Sequence, residues 1–291
     1  MRKNYVFGLF LSFFILIGGF TQAQVEPCAT NTIHQQYLAD PAYRATFERM
    51  EAELQLRIAE KMANAASQRT EATVYQIPLV VHVIHTGGAV GTIYNPTDAV
   101  INSMITKINS DFRNLGGAGT DVEIEFVLAK RTPTCGASTG INRVDGSGLA
   151  GYTAGGIGTG GATDAAVKAL SLWPNTDYYN IWIVSKIDGN DGTSGSFTAG
   201  YATFPGGNPA TDGTVILATQ VNGTSATMTH ELGHAFKLQH TFHKAETGDD
   251  SANATDCPAN TDCATQGDLI CDTDPHAYML GTCSTTNCGG V

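Results

Sequence analysis

HELGHAFKLQH, residues 230–240, is the stretch that constrains the fold of this 291-residue chain most tightly. His230 and His234 are four residues apart, so on a helix both imidazoles lie on one face. Their nitrogens can then reach one metal ion at about 2.0–2.1 Å. If the helix ends near residue 237 and the chain turns sharply, His240 supplies a third ligand and a fourth position stays open. The spacing predicts a helix that carries a catalytic zinc site.

Glu231 follows the first histidine, where its carboxylate can face a zinc-bound water. There it would act as general base and then pass the proton to the leaving amine. Zinc would lower the pKa of the water toward about 7 and polarise the scissile carbonyl. A weaker alternative is a two-histidine site with a downstream carboxylate, for example Glu246, as third ligand.

Beyond the histidines, HELGHAFKLQHTF resembles the zinc signature of the metzincins, and its end resembles the pappalysin branch. Further stretches are similar to the same family: 77–85, 108–114, 179–186, 200–206, 212–216 and 267–275. The resemblance implies an α/β (α+β) fold, with a mixed sheet, backing helices and an active-site helix. It implies His230, His234 and His240 as zinc ligands, Glu231 as catalytic base and a peptide bond as substrate.

The same resemblance implies that the strand around Tyr201, Ala202 and Thr203 forms the upper edge of the cleft, where an extended substrate binds by strand addition. An ordinary edge strand is the alternative. Calcium sites also occur in the family, and seven aspartates of the tail offer oxygen ligands. A solvated acidic loop explains them equally well. These are Asp249, Asp250, Asp256, Asp262, Asp268, Asp272 and Asp274.

Two features depart from the family pattern. Lys237 stands where the family has a glycine that leaves the helix with positive φ, and a lysine in that conformation costs about 1–2 kcal/mol. The expected methionine turn is not seen after His240, where Met279 lies in a different context. A C-terminally truncated peptidase is therefore expected. A secreted, non-catalytic metzincin-like protein is the alternative function.

Residues 1–23 have the features of a secretory signal peptide. Arg2 and Lys3 precede an apolar run, and Thr21-Gln22-Ala23 gives small residues at the cleavage positions. The sequence thus predicts a secreted protein with no membrane attachment after cleavage. A single membrane anchor is the alternative, although the run is short for a span of about 20 residues. The net charge of -11 argues against nucleic acid as a partner.

Residues 24–73 are predicted to form a helical pro-region. The alternative is that they form the first helix of the domain. Proline suits a first helical turn, so Asp40-Pro41 marks a break or a start. An amphipathic stripe follows at steps of three and four: Tyr43, Phe47, Met50, Leu54, Ile58 and Met62. Cys28 is the natural unpaired member of seven cysteines. Latency by a thiolate ligand to zinc is its expected role, and a thiol without a role is the alternative.

Residues 74–291 are predicted to form the catalytic domain. Strands are expected at 74–85, 122–129, 179–186, 200–204 and 214–219, with helices at 95–114, 164–173 and from Ser225. Residues 136–161 are glycine-rich and predict a long surface loop. Five cysteines in the last 35 residues predict disulfides in a loop-rich tail, and their spacing fits a zinc ribbon less well.

Overall fold

The computed structural model describes residues 25–26, 28–64, 73–117, 119–245, 249–250, 257–259, 261–263, 265–271 and 273–277. The expected signal peptide at 1–23 and residues 65–72 of the expected pro-region lie outside them, as do Glu246 and Met279. Among the described residues, no helix is both long enough and apolar enough to cross a bilayer.

The segment 24–73, the expected pro-region, is called the leader below. Its described part begins with a short strand, β1 (Val25–Glu26), and continues as two helices, α1 (Thr30–Leu38) and α2 (Pro41–Asn64). The predicted break is confirmed, because Pro41 is the first residue of α2. The Asp40 carboxylate accepts a hydrogen bond from the Ala42 amide and so caps one of the free N–H groups at the helix start. The predicted stripe is only partly buried: Tyr43 is buried, whereas Ile58 is 42% exposed.

A six-stranded mixed sheet forms the centre of the remaining chain, in the order β3-β2-β5-β8-β7 with β4 also paired to β2. The antiparallel β7 lies at one edge, and the other pairs are parallel. The predicted α/β class with a mixed sheet is confirmed. Its strands are β2 (Tyr75–His85), β3 (Ile124–Leu128), β4 (Ile141–Asp145), β5 (Tyr179–Val184), β7 (Gly200–Ala202) and β8 (Thr214–Leu217).

Alternating side chains of the central strands fill two apolar layers, one on each face of the sheet. On one face Val81 and Ile183 pack under α3 (Asp98–Phe112) and α6 (Thr227–Ala235). On the other face Trp182 packs with residues of the connecting loops, of α4 (Tyr152–Gly155) and of α5 (Asp164–Lys168). Burial on both faces explains why β2 and β5 are nearly continuous apolar runs.

The prediction of a long loop at 136–161 is wrong, because this segment contains β4 and α4. Strand β4 continues the edge of β2 where β3 stops: β3 pairs with 75–79 of β2, and β4 pairs with 81–85. Gly140 makes this join possible, because it has φ +75° and an added Cβ would lie 2.7 Å from the Ala129 backbone nitrogen. Helix α5 also ends earlier than predicted, at Lys168.

Three short strands complete the described structure: β6 (Phe197–Thr198), β9 (His243–Lys244) and β10 (Asp249–Asp250). Cys263 and Cys271 form a disulfide, as expected for the tail. Among the described cysteines, Cys28 and also Cys135 are free, so Cys28 is not alone in lacking a disulfide.

Candidate metal centre

Helix α6 carries the histidine motif and ends in a Schellman turn. The Leu238 amide bonds to the Gly233 carbonyl over 3.0 Å, and the Lys237 amide bonds to the His234 carbonyl over 2.8 Å. Lys237 has φ +76°, the left-handed conformation that the sequence required at this position. The turn reverses the chain directly after the helix and returns His240 to the face of His230 and His234.

The Nε2 atoms of the three histidines converge on one point. The distance from His234 is 3.1 Å to His230 and 3.1 Å to His240, and His230 and His240 are 3.2 Å apart. Three nitrogens at about 2.0–2.1 Å from one tetrahedral ion would be separated by about 3.3 Å. His234 Nδ1 lies 2.7 Å from the Leu238 carbonyl, to which it donates, so the Nε2 lone pair faces the other two rings.

Cys28 of the leader joins this triangle. One ligand atom from each of Cys28, His230, His234 and His240 lies within 4.8 Å of every other. Among the described residues no second group of three or more such side chains meets this criterion. Of the tail aspartates considered for calcium, Asp256 and Asp272 lie outside the described residues, and the expected calcium site finds no support among the others. Three imidazole nitrogens and one sulfur form a donor set that fits a borderline-soft metal ion with four ligands.

Glu231 is fully buried beside the triangle, and the leader covers it. Its Oε2 accepts hydrogen bonds from Cys28 Sγ and from Thr30 Oγ1, each over 3.1 Å. Burial raises the pKa of Glu231 to about 8, although the hydrogen bonds from Cys28 and Thr30 oppose the rise. Oε1 is buried with no hydrogen-bond partner among the described residues. A buried carboxylate oxygen of this kind fits a site that receives a further polar group.

The thiol of Cys28 is held in its protonated form by the same surroundings. Burial, and next the charge of Glu231, raise the pKa of Cys28 well above its usual range. Bonds from Thr30 oppose this shift but do not reverse it. A metal ion at the histidine triangle has the opposite effect, because metals bind the thiolate and lower the pKa of a thiol.

The leader lies along the free edge of β7 and in the same direction. Strand β1 pairs in parallel with β6, Val25 with Phe197. The Ala29 amide then donates to the Gly200 carbonyl over 3.2 Å, and the Ala202 amide donates to Thr30 Oγ1 over 2.9 Å. Residues 25–26 and 28–30 thus run beside 197–202 and bring Cys28 to the histidines.

The predicted edge strand is present, and the backbone groups on its free edge, which the leader covers, belong to Gly200 and Ala202. Tyr201 is paired with Val215 of β8, and its hydroxyl donates to Asp164. Thr203 lies after the strand. Its amide donates to the Gly213 carbonyl, and its Oγ1 accepts a hydrogen bond from the Gly213 amide. Gly200 was not predicted as a site residue. An added Cβ there would lie 3.3 Å from Glu231 Cγ, so a small residue is needed where the strand passes the carboxylate.

The family model described as pregnancy-associated plasma protein-A, a peptidase family, matches residues 161–288. Residues 161–288 are thus similar to the pappalysin family. The matched range contains α6, His240 and the edge strand, so the resemblance to the pappalysin peptidases is confirmed over that range. No curated protein matches the chain significantly.

Among solved structures, mature mirolysin of Tannerella forsythia in complex with a cleaved peptide is 27% identical. It covers 68% of this chain and 74% of its own, with a TM-score of 0.48. A promirolysin mutant of Tannerella forsythia is 25% identical. The match covers 77% of this chain and 75% of that one, with a TM-score of 0.48. Mirolysin in complex with compound 9 is 25% identical and covers 67% and 73%, with a TM-score of 0.47.

Proposed function

We propose that this chain is the secreted, latent precursor of a zinc endopeptidase. The observation that carries the proposal is the convergence of Cys28, His230, His234 and His240 beside the buried Glu231. The peptidase family match supports the reaction class. The apolar run and small residues of 1–23 support export.

Zinc is the metal that this donor set favours, because imidazole and thiolate ligands in a four-coordinate site are typical of it. When bound, zinc supplies Lewis-acid activation of water and of the scissile carbonyl. His230, His234 and His240 would hold the ion in both forms of the protein. Cys28 would hold the fourth position only while the leader is attached.

Glu231 is the general base in this proposal. Its carboxylate takes a proton from the attacking water and returns it to the leaving amine. In the precursor its Oε2 is occupied by Cys28 and Thr30, so the leader blocks the base as well as the metal.

The substrate is a protein or peptide in extended conformation. The leader provides the precedent, because its backbone and the Thr30 hydroxyl use the Gly200 carbonyl and the Ala202 amide. Both groups become free when the leader departs, and a substrate backbone can take them by strand addition. Strand addition depends mainly on hydrogen bonds to the main chain of the substrate, so it suits a protein or peptide.

A non-catalytic metzincin-like protein is the second candidate, and Lys237 is the residue that favours it. Lysine in the left-handed region costs about 1–2 kcal/mol. The Schellman turn is nevertheless formed, and the three Nε2 atoms converge. The strain is therefore borne without displacing His240, which supports the catalytic reading.

Casein cleavage by the purified chain after leader removal tests the proposal. We expect zinc-dependent cleavage that falls by about 10²–10⁴-fold in Glu231→Gln, because the base is lost while the metal ligands stay. Glu125→Gln, the same substitution at an exposed position of β3, should cleave like the parent. Cleavage that survives Glu231→Gln or metal chelation would refute the mechanism. Bound zinc with no cleavage by the parent would establish the non-catalytic alternative.

A further inference from the structure

Lys237 makes contacts that its place at the end of α6 does not require. Its Nζ lies 2.8 Å from Glu51 Oε2 of α2, and the side chains of the pair are 14% and 29% exposed. The same ammonium lies 3.6 Å from the centroid of the Phe47 ring and 5.2 Å from that of Phe204. Lys237 thus contacts one acidic and one aromatic side chain of the leader helix. A glycine at this position could make neither contact.

The loop after β7 is shaped for the same helix. An added Cβ on Gly206 would lie 2.7 Å from Met50 Sδ, and one on Gly207 would lie 2.7 Å from Tyr43 Cε2. Gly206 has φ +95°, so its backbone also requires glycine, but Gly207 has no such requirement. The small residue at 207 is therefore explained by the close approach of the leader and not by the conformation of the loop.

Burial makes this contact selective for a partner that carries a negative charge. Desolvation lowers the pKa of Lys237, and Glu51 opposes the shift. A buried ammonium without a carboxylate would be costly, whereas the ion pair together with the ring of Phe47 compensates it. A cavity of 260 Å³ remains beside the ion pair, between α2 on one side and Pro205 and residues 235–237 on the other. The helix is therefore held at a few points and not by continuous packing.

We propose that Lys237, with Phe204, Gly206 and Gly207, forms a second docking site for the leader, and that this site holds α2 independently of the contact between Cys28 and the metal centre. The proposal rests on the proposed function, which treats residues 24–73 as a removable leader that keeps the metal centre latent. Lysine is retained at a position that favours glycine because it links the end of the active-site helix to the leader. Latency then depends on two attachments, Cys28 at the metal centre and Glu51 at Lys237.

Hydrogen exchange of the full chain tests the proposal, with the backbone amides of 41–64 as the readout and those of 98–112 as reference. Lys237→Met retains the aliphatic stem and the strained conformation but removes the charge. We expect at least tenfold faster exchange in α2 for Lys237→Met, for Glu51→Gln and for Gly207→Ala, with α3 unchanged. Glu48→Gln, on an exposed position of the same helix, should leave both helices unchanged.

The double variant Lys237→Met/Glu51→Gln should exchange no faster than the faster single variant, because both changes break one pair. Exchange of α2 within twofold of the parent in Lys237→Met and Gly207→Ala would overturn the proposal. Intact mass shows that the leader is attached, and metal content is measured on the same samples. Loss of metal without a change in α2 protection would count against the proposed function and not against the docking site.

Discussion

At the scale of single residues, the sequence predicted which three histidines converge but not the side chains that cover them. Two histidines four apart and a third after a helix end can converge in few ways, so spacing alone was sufficient. Thr30 was not predicted, because its role depends on contacts with Glu231 and Ala202, some 200 and 172 positions away. A threonine in the leader carries no local signal for such contacts.

Thr30→Val is predicted to loosen Cys28 while the helix remains formed. The substitution removes the donor to Glu231 and leaves the buried Ala202 amide without its acceptor, which costs about 1–3 kcal/mol. Alkylation of Cys28 by iodoacetamide should therefore accelerate several-fold. Cys135 is exposed and free and serves as an internal reference for the reagent. Thr32→Val, an exposed threonine of the same helix, is the matched control, and equal Cys28 rates in all three proteins would contradict the assignment.

At the scale of elements, segments with a clear apolar period were predicted correctly, whereas the glycine-rich segment was not. The apolar runs of β2 and β5 and the stripe of α3 were found because burial dictates their period. Strand β4 was missed because Ile141-Asn142-Arg143-Val144-Asp145 is only half-buried and lies among glycines. Its place is set by pairing with β2 and not by its own composition.

The docking of α1 provides a pH-dependent term in stability. His34 packs against Tyr43, Phe47 and Phe204. Burial lowers the pKa of His34 to about 4, and the charges of Lys237 and His243 act in the same direction. The Tyr43 hydroxyl, 3.2 Å from Nδ1, completes its polar surroundings. His34 is thus neutral in the folded leader and binds a proton in the unfolded chain at pH values where the folded form does not.

The sign of the effect follows from linkage. Above about pH 6.5 His34 is neutral in both states, and stability is lost as the pH falls from there toward about 4. At pH 5 the loss is about 2 kcal/mol, or roughly 4 °C in a domain of this size. The thermal midpoint should therefore fall further between pH 7.5 and pH 5 in the parent than in His34→Gln. Identical pH profiles for the two proteins would show that His34 does not contribute.

At the scale of the whole molecule, the leader contacts the rest of the described chain at three places: the edge of β7, the histidine triangle and the loop at 204–207. The leader was predicted as a unit with an amphipathic helix and a candidate latency cysteine. The sequence could not predict which surface the leader covers, because Glu51 and Lys237 are 186 positions apart and meet only after both parts have folded. The departure from glycine at 237 was visible, but its compensation by the leader was not.

X-ray absorption at the zinc edge of the purified, full chain is the most direct test of the central claim. The account predicts about one zinc ion per chain with three nitrogen ligands and one sulfur ligand, at about 2.0–2.1 and 2.3 Å. Cys28→Ala should keep the ion and replace sulfur by a lighter ligand, whereas His240→Ala should lose it. No zinc in the parent, or a parent spectrum without sulfur, would contradict the claim that Cys28 and the three histidines form one metal site.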